Sequence, residues 1–385
     1  MRRECPATYE EAAELMGACG RDRTTLRPCG HGTKAWGRAG DDPDLEIGTD
    51  KLDSLIEHNA GDFTAVLQPG IPLAAAQAVF AESDQMLALD PPLAGERATV
   101  GGVVASGDSG PLRHNFKSAR DLVLGVKVAL SDGIVATAGS RVIKNVAGYD
   151  LAKLYTGSFG TLGLIVEMTV RLHPRPPGSA TAVGHASDPE ALAAAASAVA
   201  HARLESNSLD VSWGDGAGRL LARYGGAEPG LQAEAALRVM EDSGVEAELI
   251  EADAELWERQ RNGQRSTEGV VVKVSALPAA LPAVLRAADE AGGTVVGRAG
   301  MGLSWITLSG PAGEGGTDWA VGAIDGLRHR LDPYVCTVLD APAELRAEID
   351  VWGEPEGPAL DLMRRVKERF DPHNVCNPGV FVGGI

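Results

Sequence analysis

Apolar and polar positions along this chain follow two periods, and the changes between them mark its elements. Thr8 precedes Glu11 by three residues, a capping-box spacing, and Ala12, Leu15, Met16 and Cys19 follow at helical intervals. The pattern predicts an opening helix that Gly20 is placed to stop. TTLRP, DLEIGT and FTAVLQPG read as short strands, and IPLAAAQAVFAESD as a helix with Pro72 in its first turn. LVLGVKVAL and IVATAG, joined by a glycine-containing turn, predict a hairpin. Val166, Met168, Val170 and Leu172 alternate with Glu167, Thr169 and Arg171, the period of a half-buried strand.

The Pro-rich HPRPPG ends that strand, and a domain boundary is expected between Pro174 and Gly178. Beyond it, helical stretches such as PEALAAAASAVAHARL and LQAEAALRVMEDSG alternate with strands such as SLDVSW, VVVKVSA and LSWITLSG. That mixture predicts an α+β fold. The last stretch, ALDLMRRVKERFDPHNVCNPGVFVGGI, reads as a helix with Leu360, Met363, Val366 and Phe370 on one side, then a Pro- and Gly-containing loop.

Three glycine-rich segments of the first half fit neither period. They are CGHGTK, the long and irregular DPPLAGERATVGGVVASGDSGPLRHN, and VIKNVAGYDLAKLYTGSFGTLGLI. Glycine lets a backbone approach a ligand and turn its N–H groups inward, which suits a pyrophosphate. None matches GxGxxG or GxxxxGK[ST], so a Rossmann site and a P-loop are both unsupported.

Charge and cysteine narrow the classes further. A formal net charge of -18 argues against a nucleic-acid partner. Cys5, Cys19, Cys29, Cys336 and Cys376 are scattered without a CxxC pair, so no disulfide, zinc or iron–sulfur framework is expected, and a reducing cytoplasmic setting is. The eight histidines form no HxH, HExxH or HxxxH set, so no metal site is expected. No signal peptide is read at MRRECPATYE, and the Ala-rich run is too short to span a bilayer. Gly107 to Pro111 spell GDSGP, the nucleophile signature of trypsin-like proteases, but the histidine context, the disulfides and the all-β pattern of that class are missing.

Taken together, RPCGHGTK (Arg27–Lys34), ATVGGVVASGDSGP (Ala98–Pro111), RDLVLGVKV (Arg120–Val128) and KNVAGYDLAKLYTGSFGTLGLI (Lys144–Ile165) resemble the flavin-binding domain of the vanillyl-alcohol oxidase/p-cresol methylhydroxylase (PCMH) family. VKERFDPHNVCNPG is similar to the ending of the FAD-linked oxidase C-terminal domain. The KNVAGYDL form, the SGPLR segment and the short length resemble the FAD-binding E subunit of glycolate oxidase complexes. The resemblance implies a two-subdomain PCMH-type FAD-binding domain over residues 1–175. An α+β cap over 176–355 and a segment 356–385 returning to the FAD domain would follow.

It also implies site residues. Pro28, Cys29, Gly30, His31, Gly32, Thr33 and Lys34 would cradle the pyrophosphate. Asp90, Thr99, Gly101, Gly102, Ser106 and Gly107 would pass along the ribityl chain and isoalloxazine. Lys144 and Asn145 would set polar side chains near the cofactor, and Gly160, Thr161, Gly163 and Ile165 would lie against its adenosine and pyrophosphate. Some members attach flavin through a histidine at the place Thr33 takes here, with His31 two positions earlier, so non-covalent FAD is expected, and Cys29 is read as a small packed residue.

The chain departs from the pattern in its second half. Members that oxidise 2-hydroxy acids carry a GDGNLH-type segment, and the nearest stretch here, Gly297–Trp305, keeps the glycine turn without the histidine. Arg298 or Arg265 is a candidate for a substrate carboxylate, weighed against surface salt bridging, and no catalytic base is visible. The expected function is a flavoprotein subunit of a glycolate or other 2-hydroxy acid oxidase or dehydrogenase complex. Its implied partners are a homologous flavin subunit and an iron–sulfur subunit, with any membrane association arising through them. Two alternatives stand: an accessory electron-relay or scaffold subunit, and a stand-alone D-2-hydroxy acid dehydrogenase.

Overall fold

Thr8 caps the first helix in the computed structural model, which describes residues 1–40, 42–93, 95, 97–140, 150–310, 317–353 and 357–385. Its hydroxyl accepts the Glu11 N–H at 3.1 Å, while the Glu11 carboxylate accepts the Ala7 N–H at 2.7 Å. The helix runs Tyr9–Asp22, so Gly20 lies inside it rather than ending it. A Cβ on Gly20 would sit 1.9 Å from the Ser131 carbonyl oxygen, so glycine here admits the neighbouring hairpin. The helix stops instead at Arg23, in the left-handed region.

The chain forms two units. One comprises Met1–Ser109, Lys117–Arg175 and the C-terminal residues 357–385, and the other Gly110–Phe116 with Pro176–Gly353. Gly110–Phe116 thus departs from the 1–175 domain expected of it. Within the second unit, the His114 ring meets the Ser206 hydroxyl at 3.0 Å, which ties this short stretch to the residues before a strand.

In the first unit, Leu26–Cys29 and Arg2–Glu4 pair in parallel on either side of Leu45–Gly48. A five-stranded antiparallel sheet follows in the order Leu55–Asn59, Thr64–Leu67, Leu164–Arg171, Val123–Ala129, Val135–Gly139. Leu164–Arg171 is its centre. Alternation predicted one wet face there, yet every residue but Arg171 is buried. The polar side of the alternation is satisfied internally: the Glu167 carboxylate accepts from the Tyr9 hydroxyl at 2.9 Å and the Lys127 ammonium at 3.0 Å. Ala12, Met16, Leu26, Ile47, Leu164, Val166, Val375 and Cys376 share one core, so the C-terminal residues belong to this unit's interior.

The second unit is built on eight antiparallel strands, in the order Glu246–Ile250, Ser179–Ala186, Ala217–Gly225, Ser208–Gly214, Thr294–Arg298, Leu303–Leu308, Val270–Ser275, Val335–Val338. Helices Pro189–His201, Pro229–Asp242, Leu281–Glu290 and Asp318–Arg330 bury their apolar stripes with Ala182, Leu209, Val211, Leu220, Val272 and Ile306. Helix Ala254–Asn262 packs Leu256 and Trp257 with Val183 and Leu221, the positions that alternate with those of the main core.

Helix Pro358–Phe370 differs from its sequence reading. Leu360 is buried as expected, but its buried companion is Lys367, and Met363 is 43% exposed.

Candidate cofactor site

The three glycine-rich segments meet within the first unit. Pro28, Cys29 and Gly30 from the end of one strand line a pocket with Gly101, Gly102 and Ala105 from the second segment, and with Ser158, Gly160, Gly163, Leu164 and Ile165 from the third. Thr49 and Pro69 complete the lining. Of the expected residues, Pro28, Cys29, Gly30, Gly101, Gly102, Gly160, Gly163 and Ile165 therefore share one concavity.

Local rules explain each wall. The second segment, read as irregular, contains helix Val100–Ser106. Thr99 caps it by accepting the Gly102 N–H at 3.1 Å, and Gly107 closes it at φ +66. Two glycines inside so short a helix hide it from propensity reasoning. They serve contact instead: a Cβ on Gly101 would fall 2.4 Å from the Pro69 Cβ and 2.7 Å from the Pro69 oxygen. Gly160 turns at φ +73, and a Cβ there would meet the Pro28 ring at 3.0 Å. The walls nest because these positions carry no side chain.

Two lining residues and the loop beside them carry donors. The amides of Gly30 and Gly160 in the lining, and of His31 and Gly32 next in the chain, donate to no protein acceptor among the described residues. Gly32 adopts φ +70 with open space where a Cβ would be. Successive free N–H groups in a turned loop form a nest for an anion. Glycine walls beside unpaired amides suit an anionic group such as a phosphate.

The other expected residues act on the loops rather than lining the pocket. The His31 ring meets the Arg97 carbonyl at 2.9 Å, and the Thr33 hydroxyl accepts from Lys34 at 3.4 Å. Lys34 pairs with Asp108 at 3.5 Å, tying the first segment to the second. The Ser106 hydroxyl donates to the Gly102 carbonyl at 2.7 Å, and the buried Thr161 hydroxyl to the Ser158 carbonyl at 2.7 Å. Asp90 is half-buried and outside the lining. Lys144 and Asn145 lie outside the described residues. Thr49 and Pro69 were missed; each ends a strand reading, IGT and LQPG, and neither residue type announces a ligand by itself.

Two further sequence readings are resolved. Ser109 of GDSGP is buried, its N–H donates to the Asp108 carboxylate at 2.9 Å, and Asp108 is held by Lys34, so a buried ion pair stands where a protease would need a free nucleophile. Burial pushes the Cys29 thiol pKa up, which disfavours the reactive thiolate.

Sequence models sharpen the reading. A model of the FAD binding domain matches residues 4–139, and one of the C-terminal domain of FAD linked oxidases matches residues 352–381. The two matches place domains of FAD-linked oxidases over the first third of the chain and over its C-terminal segment. It is 36% identical over 181 residues to glycolate oxidase subunit GlcE of Escherichia coli (strain K12), a match covering 46% of this chain and 51% of that one. The match thus spans about half of GlcE's length. An uncharacterized FAD-linked oxidoreductase of Mycobacterium tuberculosis is 27% identical, covering 98% of this chain and 90% of its own. Among solved structures, glucooligosaccharide oxidase from Acremonium strictum, with a 6-S-cysteinyl, 8α-N1-histidyl FAD, superposes with a TM-score of 0.71 at 15% identity, covering 100% of this chain and 91% of that one. That likeness establishes the PCMH-type fold expected from the sequence.

The second unit holds the two arginines considered for substrate. Arg298 is no surface residue: it is fully buried, donates to Asp210 at 2.8 Å and to Gln264, and lies 4.8 Å from the centre of the Trp305 ring. Burial pushes the Asp210 carboxyl up to about 6, against the pull of Arg298. Arg265 donates to Asp340 at 2.7 Å. Both guanidinium groups are already engaged by carboxylates of the same unit.

Proposed function

We propose that this chain binds FAD without a covalent link and takes part in oxidising a small 2-hydroxy acid, passing the electrons to a partner protein. The observation that carries the reading is the concavity where three glycine segments converge with free amides. When bound, FAD supplies a hydride acceptor and a store for two electrons. The chain's own part is positioning. The amides of Gly30, His31, Gly32 and Gly160 would hold the diphosphate, while Pro28, Gly101, Gly102, Gly163 and Ile165 would supply walls close enough to exclude water. His31, Thr33, Lys34, Thr99, Ser106, Gly107 and Thr161 would keep those walls in shape.

The substrate class is supported by relatives. Besides GlcE, glycolate oxidase subunit GlcD of Bacillus subtilis is 31% identical over 173 residues. Electron transfer onward is proposed because the described residues contain no group of three metal-ligating side chains to hold a cluster. An iron–sulfur subunit and a second, histidine-bearing flavin subunit would be the partners.

A second reading, an accessory flavoprotein without turnover of its own, is favoured by the second unit. Arg298 is engaged by Asp210, and Gly297–Trp305 offers no histidine. An absorption spectrum of the purified chain, before and after anaerobic glycolate, separates the two. Bleaching of a flavin band supports turnover by this chain. A band that persists supports the accessory role, and folded protein that takes up no FAD overturns the cofactor reading.

A further inference from the structure

Behind the third glycine segment, two side chains from the C-terminal residues grip consecutive parts of its turn. The Asn377 amide donates to the Phe159 carbonyl at 2.7 Å, and the Lys367 ammonium donates to the Thr161 carbonyl at 2.8 Å. Those carbonyls flank Gly160, whose φ of +73 and place against Pro28 shape the pocket wall. Lys367 also donates to the Asp371 carboxylate at 2.7 Å and to the Cys376 carbonyl at 2.7 Å. Its three N–H donors therefore meet three acceptors, from the turn, its own helix end and the loop that follows.

The same loop holds the opposite wall. The Leu26 N–H donates to the Val375 carbonyl at 2.8 Å, and the Asn377 N–H to the Leu26 carbonyl at 2.7 Å. Leu26 lies two residues before Pro28, so residues 375–377 tie the strand that delivers Pro28–Gly30 to the turn that delivers Gly160.

A buried lysine is poor evidence for stability, because an apolar residue of like size would avoid its desolvation. Its use here is geometric. We propose that Lys367 and Asn377 are positioning residues of the FAD site, acting through the carbonyls of Thr161 and Phe159 to set the gap between the two walls. The inference rests on the cofactor reading above and goes beyond it, since neither side chain lines the pocket.

The test uses full-length chain stripped of flavin and titrated with FAD, with binding read from flavin fluorescence and folding from urea denaturation. Asn377 sits at φ +44, a conformation glycine adopts freely, so N377G removes the amide without backbone strain. K367M/D371N removes the ammonium without stranding a buried charge. Both variants are expected to remain folded and to bind FAD about tenfold or more weakly, a change of about 1.4 kcal/mol. Visible circular dichroism and midpoint potential of the bound flavin are expected to shift as well, which a purely structural role would leave unchanged per folded molecule. Wild-type affinity and potential in folded N377G would overturn the proposal. That variant decides alone should K367M/D371N fail to fold. Absence of FAD binding in the wild type would instead overturn the cofactor reading.

Discussion

Lys34 and Asp108 meet at 3.5 Å in the interior of the first unit, with side chains 5% and 4% exposed, and so join two loops 74 residues apart in sequence. Removing one partner leaves the other charge buried with its pairing weakened, which typically costs roughly 3–5 kcal/mol. K34M and D108N are each expected to lower the urea midpoint strongly, and K34M/D108N less than the sum of the two. A double variant as costly as the sum would show that the two side chains do not act as a pair.

Glycine at 101 is a steric requirement of the pocket, whereas glycine at 95 meets nothing within 4 Å. Gly101→Ala would press its Cβ against the Pro69 backbone, forcing strain of roughly 1–3 kcal/mol into the wall. Flavin occupancy, read as the visible-to-ultraviolet absorbance ratio, is expected to fall in G101A and to stay at the wild-type level in G95A. Equal occupancy in both would remove Gly101 from the site.

The expected non-covalent link is checked by acid precipitation. FAD is expected in the supernatant, leaving a colourless pellet. Yellow protein after precipitation would contradict it and direct attention to His31 and Cys29.

Burial lowers the His114 pKa below its ordinary value of 6.5, and its second ring nitrogen lies buried without a hydrogen-bond partner among the described residues. Because the folded state resists protonation, the unfolded state binds more protons once pH drops through about 6.5. This histidine's contribution is full above that pH and is lost as pH falls below it. Wild type is therefore expected to lose more stability than His114→Gln between pH 7 and 5. Parallel urea midpoints across that range would show that His114 titrates normally.

Much of the local structure is legible along the chain, because local physics suffices for it. Thr8 and Glu11 announce a cap, period two announces the strand around Val170, a glycine turn announces the hairpin around Val126, and the spacing of glycines marks three segments that no core would use. The glycine segments also carried the family resemblance, which the FAD-binding-domain match supports. Tertiary structure decided what each glycine is for. Gly20 looked like a helix stop and proved to be a contact with Ser131, and Gly101–Gly102 looked like loop and proved to be helix. A side chain's neighbours across the fold are not written in its local pattern. Burial of Glu167 depends on Tyr9 and Lys127, burial of Arg298 on Asp210, and burial of Lys367 on a carbonyl 206 residues away. Each charged residue reads as surface until its counter-group is known, since only a paired charge can leave water at acceptable cost.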